Sequence, residues 1–170
     1  QIAGTEVLLN FVGYVIDCAP GPTLAVIPTV DTAKRFSRQR IDSMIEVTPR
    51  LRGKIAEARS RDSGNSTFIK EFPGGLLILT GANSAVGLRS MPIRYLVCDE
   101  IDAYPPDVDG EGDPIDLAKA RTRTFRLRRK HFFLSSPTIE GRSPIDNLYQ
   151  ASDQRQYHVP CTACGHYQVL

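Results

Sequence analysis

The sequence predicts an α/β fold: a mostly parallel sheet with helices on both faces. Three observations carry that expectation. Short apolar runs at 23–28 ("TLAVIP"), 94–98 ("RYLVC") and 130–134 ("KHFFL") read as strands buried on both faces. Helix-forming stretches separate them, and apolar strands alternating with helices imply crossover units. Two of the runs end in polar residues, Asp99-Glu100 and Ser135-Ser136, at the carboxyl ends where such sheets bind ligands.

Each element follows in chain order. Residues 5–17 are apolar at nearly every position, and that length predicts a helix ended by "APGP" at 19–22. A second helix is expected over 31–48, with Ala33, Phe36, Ile41, Met44 and Ile45 on its apolar side, Asp31 or Thr32 as cap and Pro49 just beyond. Residues 51–66 are charged and contain Gly and Ser, the composition of a surface excursion. "STFIKEF" and "GLLILTG" flank "PGG", a hairpin signal. "NSAVGLRSMP" is a short helix or loop, and "PPDVDGEGD" an acidic loop. "DPIDLAKARTRTFRL" starts a helix with an Asp cap and Pro at its first position. After the third strand, "SPIDNLYQASDQ" reads as helix and "QYHVP" as strand.

With 170 residues and 41% hydrophobic content the chain suits one compact domain, 1–155, with a small appended segment, 156–170. Net charge is +2, and arginines far outnumber lysines. Arg suits bidentate contact with phosphate, although a solvated basic surface has the same composition. No apolar run is long enough to cross a bilayer, so the expectation is a soluble, intracellular protein without a membrane. Both ends read as cut. Four cysteines are too few for a disulfide framework.

Apolar residues followed by Asp99-Glu100 at a strand end form the Walker B arrangement. One carboxylate, Asp99, holds Mg²⁺ while its neighbour, Glu100, polarises the water that attacks a γ-phosphate. The plainer alternative is a strand that ends in solvent. "QIAGTE" before the first helix resembles the tail of a phosphate loop, with Gly4 in the cradle and the Thr5 hydroxyl as a second Mg²⁺ ligand. No Lys lies there before Lys34, and an ordinary turn reads the same way. "SSPT" supplies Ser135, Ser136 and Thr138 as candidates for sensing the γ-phosphate, or an ST-turn before proline. In "VPCTACGH", Cys161 and Cys164 are candidate Zn²⁺ ligands, half of a ribbon needing four, with His166 or His158 at unusual spacings. A redox dithiol is the competing account, but that motif should open a helix. The basic run "RTRTFRLRRK" at 121–130 suits an arginine finger, a DNA-backbone contact or a solvated face.

The blocks "QIAGTE", "GYVIDCAPGPTLAVIPTVDTAKRFSRQRI", "FPGGLLILTGANS", "MPIRYLVCDEIDAYP", "EGDPIDLAKARTRTF", "SSPTIEGRSPID" and "SDQRQYHVPCTACGHYQVL" stand in an order that resembles the lambda-type branch of phage terminase large subunits. The resemblance covers almost the whole chain. It implies a P-loop NTPase-like fold of the additional-strand type, using ATP and Mg²⁺ to drive double-stranded viral DNA into a procapsid in the host cytoplasm. It places Asp99 on the Mg²⁺ position, Glu100 on the catalytic carboxylate, Thr5 on the phosphate-loop hydroxyl and "SSPT" on the coupling motif. The expected partners are a small terminase subunit, the portal and further copies of the chain. The family's phosphate-loop Lys would precede Gln1, its pattern has Gly where this chain has Ala3, and its nuclease domain lies outside these residues. A non-catalytic scaffold that contacts DNA, and a helicase-like translocase outside viruses, are the rival readings.

Overall fold

The computed structural model describes residues 4–55 and 65–169. The Ala3 departure and most of the charged excursion, residues 56–64, lie outside them. The described chain divides into two units, Gln1–Ser135 and Ser136–Leu170.

The first unit is a five-stranded sheet in the order β2-β3-β1-β4-β5. Its strands are β1 (Pro22–Ile27), β2 (Ile69–Phe72), β3 (Gly75–Gly81), β4 (Tyr95–Cys98) and β5 (Lys130–Phe133). β1 runs parallel to β3 and β4, and β4 parallel to β5, while β2 folds back antiparallel on β3. The hairpin turn needs Gly74, whose φ is +82°, a conformation glycine adopts without steric cost. Side chains alternate across the strands. Ala25, Leu77, Leu79, Tyr95 and Val97 share one apolar cluster with helical residues, and Leu24, Val26, Leu96 and Cys98, facing the other way, are equally buried.

Helix α1 (Gly4–Asp17) has Leu8, Leu9, Val12, Val15 and Ile16 at helical spacing, and all five are buried. They meet Ile41, Ile45 and Leu51 in the cluster, where Phe11 packs edge-on to Tyr95 with ring centroids 5.8 Å apart. The second expected helix is two, α2 (Val30–Phe36) and α3 (Ser43–Val47), joined without a break by a π-helical turn over Ser37–Asp42. Thr29 caps it in place of Asp31 or Thr32, and the Thr32 hydroxyl accepts from the Thr29 backbone N–H in return. Two groups hold the π turn: the Ser37 hydroxyl donates to the Thr67 carbonyl, and Asp42 pairs with buried Lys70 at 2.7 Å.

A single turn, α4 (Pro49–Arg52), opens the charged excursion, and α5 (Ala85–Leu88) occupies the segment read as helix or loop. Asp113 caps α6 (Pro114–Ala120) as expected, accepting from the N–H groups of Ile115 and Asp116. The helix stops short of Leu127, because Thr122 donates its hydroxyl to the Lys119 carbonyl and a 3₁₀ turn follows over Arg123–Phe125. β5 also differs from expectation. It is half-buried, since among the described residues it pairs only with β4 and so forms an edge.

The second unit contains α7 (Pro144–Gln150), capped by Ser143, and an antiparallel pair, β6 (His158–Pro160) and β7 (Tyr167–Val169). None of its described hydrophobic residues is buried. No helix among the described residues is long and apolar enough to cross a membrane.

Candidate functional site

Parallel register aligns Val26 with Cys98 and Cys98 with Phe133, so β1, β4 and β5 deliver their next residues to one edge of the sheet. Asp99 is the first residue past β4. Its N–H donates to the Val26 carbonyl at 3.0 Å, which continues the ladder by one bond and holds the carboxylate in the sheet edge with 6% exposure. Thr5, on the first turn of α1, donates its hydroxyl to Asp99 Oδ2 at 3.2 Å. Burial pushes the Asp99 carboxyl upward, the Thr5 hydrogen bond opposes that shift, and the neighbouring Glu100 charge reinforces it.

Glu100 does the opposite of Asp99. It sits at φ 54°, ψ 47°, the left-handed conformation, and is exposed. A non-glycine residue is seldom held there, at a cost of about 1–3 kcal/mol. The turn separates two adjacent carboxylates, one held in the sheet edge and one exposed to solvent. A 3₁₀ turn over Ile101–Ala103 follows, stitched to the end of β5: Ile101 N–H donates to the Leu134 carbonyl at 3.1 Å, and Asp102 N–H to the Ser135 hydroxyl at 3.1 Å. A Cβ on Gly4 would collide with the Leu134 side chain, so a glycine at the start of α1 allows its close approach to this edge. Gly4, Thr5, Asp99, Glu100 and Ser135 therefore share one region of the first unit. Ser136 and Thr138 fall in the second unit, where both are exposed.

Two neighbours of the site are not apparent in the sequence pattern. Arg40, on the π turn, pairs with Glu6, the residue after Thr5, and its charge favours the ionised form of Asp99. Tyr104 donates its hydroxyl to the Val26 carbonyl at 2.7 Å, pinning the loop after Glu100 onto β1. Beneath it, burial pushes the Cys98 thiol up to about 12, which leaves it an inert core residue. Only "EIDAYP" hinted at the Tyr104 contact, by placing an aromatic just past the strand end.

In the second unit Cys161 and Cys164 sit in the turn that joins β6 to β7. The Cys161 N–H donates to the His166 carbonyl at 2.8 Å, and the Gly165 N–H to the Cys161 carbonyl at 2.9 Å, with Gly165 at φ +74°. Among the described residues no group of three or more His, Cys, Asp or Glu side chains gathers, so neither His158 nor His166 completes a site with the pair. Of the basic run, Arg123, Arg126, Arg128, Arg129 and Lys130 are exposed.

Comparison with known proteins adds three findings. The family model described as "Phage terminase large subunit gpA, ATPase domain" matches residues 1–170. The large terminase subunits of Enterobacteria phage P21 and Escherichia phage lambda are 25% and 24% identical to the chain over its whole length, and the chain spans 27% of each. Among solved structures, the HK97 bacteriophage large terminase superposes with a TM-score of 0.64 at 11% identity, covering 88% of this chain and 31% of that one. The ATPase domain of the Thermus phage P74-26 large terminase superposes with a TM-score of 0.52 at 15% identity, covering 81% of this chain and 57% of that one. These two likenesses concern the fold.

Proposed function

Because the chain belongs to the family of phage terminase large subunit gpA ATPase domains, we propose that it forms the ATP-hydrolysing region of a motor that drives double-stranded DNA into a procapsid. The observation that carries this reading is the hydrogen bond between Thr5 and Asp99 at the carboxyl edge of the sheet. A hydroxyl on the first turn of a helix and a buried carboxylate at a strand end are the oxygen donors that Mg²⁺ accompanying a nucleotide takes from a protein. The donor set fits that cation: both donors are oxygens, and the Asp99 carboxylate is hydrogen-bonded to a neutral hydroxyl. Mg²⁺, when bound, would neutralise charge on the phosphate oxygens.

The remaining work falls to side chains of this chain. Thr5 and Asp99 would hold the metal. Glu100, turned away from Asp99, accepts a hydrogen bond from the attacking water and orients it. Ser135, hydrogen-bonded to the Asp102 backbone just beyond Glu100, links the end of β5 to that loop and so reports the state of the γ-phosphate. The N-terminus of α1, opening on Gly4, adds backbone N–H groups for phosphate oxygens. The small terminase subunit, the portal and further copies of the chain are the partners this reading assigns, with the host cytoplasm as its location.

The test is ATP hydrolysis by the full-length protein, wild type against Glu100→Gln. Loss of a positioned base typically lowers the rate by about 10²–10⁴-fold, while binding of a non-hydrolysable ATP analogue with Mg²⁺ persists. Equal DNA-stimulated hydrolysis by both proteins would remove Glu100 from this role. Absence of analogue binding by the wild type would favour the scaffold reading.

A further inference from the structure

The second unit poses a physical problem that its protein contacts leave unsolved. Tyr157, Tyr167 and Val169 on and beside the β6–β7 pair are 72%, 65% and 54% exposed, and the unit has no buried hydrophobic residue among those described. A two-stranded pair of three residues each, with no apolar face covered, is marginal in water. Small units of this kind are held by a cross-link or a metal.

The turn between the strands supplies what a metal needs. Cys161 and Cys164 are both unoxidised, the first half-buried and the second exposed. Cys161 and Cys164 stand three positions apart in the short segment that joins β6 to β7, so one turn carries both thiols. Gly165 in the left-handed conformation turns the chain back after the second cysteine, and the Cys161–His166 backbone hydrogen bond closes the turn. Two thiols on one tight turn make a chelating pair for a soft divalent cation. The turn opens no helix, which removes the usual setting of a redox dithiol.

We propose that Cys161 and Cys164 form a zinc half-site that fixes the β6–β7 hairpin, supplying two of four tetrahedral positions, with the other two filled by groups from outside residues 158–169. The site is independent of nucleotide hydrolysis and its role is structural. Zinc draws the two strand ends together and replaces the missing apolar core of the hairpin.

The reduced chain, titrated with Co²⁺ as a spectroscopic probe, should develop the visible absorption of tetrahedral, thiolate-bound cobalt, and Zn²⁺ should bleach it. Cys161→Ser and Cys164→Ser should each abolish the signal, while Cys18→Ser and Cys98→Ser leave it unchanged. In wild type, amide exchange in residues 158–169 should slow about tenfold once Zn²⁺ reaches about ten times its dissociation constant. A cobalt signal that survives loss of both Cys161 and Cys164, absence of any signal in the wild type, or unchanged exchange in the hairpin overturns the proposal.

Discussion

At the scale of single residues, the site depends on a conformational contrast between neighbours. Asp99 continues the β ladder and is buried; Glu100 leaves it in the left-handed region and is exposed. Replacing Glu100 by Gly removes the steric cost of that conformation, about 1–2 kcal/mol, against a gain in unfolded-state freedom that cancels part of it. Glu100→Gly should therefore be stabilised by about 0.5–1 kcal/mol in denaturant titration while losing hydrolysis as fully as Glu100→Gln. A stable variant without activity separates the two roles of this position. His131 offers a pH-dependent counterpart. Burial lowers its pKa below 6.5, and the charges of Arg129 and Lys119 add to the shift. The unfolded chain takes up the proton near 6.5 while the folded chain resists it, so stability falls as pH drops below 6.5 and levels off once the lowered folded pKa is passed. Thermal melts of His131→Gln should lack that component, the gap between the two proteins narrowing or reversing as pH falls. The acidic dyad was legible in the sequence because its signal is adjacency. The left-handed turn was not, since Glu has no intrinsic preference that announces it.

Elements show where local pattern meets tertiary override. The apolar positions of 31–48 announced a helix, and a helix is there. The π turn inside it depends on partners distant in sequence: the Thr67 carbonyl for Ser37 and Lys70 for Asp42. No periodicity within the helix could report them. The pair is asymmetric, with the Lys70 side chain 5% exposed and that of Asp42 44%. Asp42→Asn leaves a buried ammonium with the Ser66 carbonyl but without its counter-charge and should cost about 2–3 kcal/mol, below the full cost of breaking a wholly buried pair because Asp42 is partly solvated. Lys70→Met leaves a carboxylate that water can reach and should cost less than about 1.5 kcal/mol. Urea titration of both variants gives that order, and the reverse order would mean that Lys70 acts mainly through its packing. β5 was expected to be buried on both faces because "KHFFL" is apolar. Hydropathy does not tell a central strand from an edge, and β5 forms the edge beside β4.

For the whole molecule, the mostly parallel sheet was legible from the alternation of apolar runs and helices, and so were the strand ends at which Asp99 and Ser135 stand. The order β2-β3-β1-β4-β5 was not, because the parallel pairings join segments whose local sequences do not refer to each other. Every buried hydrophobic residue among those described lies at Ala118 or earlier. All of these residues belong to the first unit. A chain ending at Ser135 should unfold cooperatively with a midpoint within about 4 °C of the 170-residue chain, as a change below ~1 kcal/mol implies for a domain of this size. Differential scanning calorimetry checks this, and loss of the cooperative transition would show that residues 136–170 complete the fold.

The Thr5–Asp99 hydrogen bond spans 94 positions of the chain, and that separation has a kinetic meaning. The β2–β3 hairpin closes a turn of a few residues, whereas pairing Thr23 with Tyr95 must first close a long loop. Hairpin contacts can form early and independently. Thr5 meets Asp99 only after β1 and β4 have paired and α1 has docked on them, so the two proposed metal ligands come together late in folding. A partly folded chain of this protein holds both residues and no site.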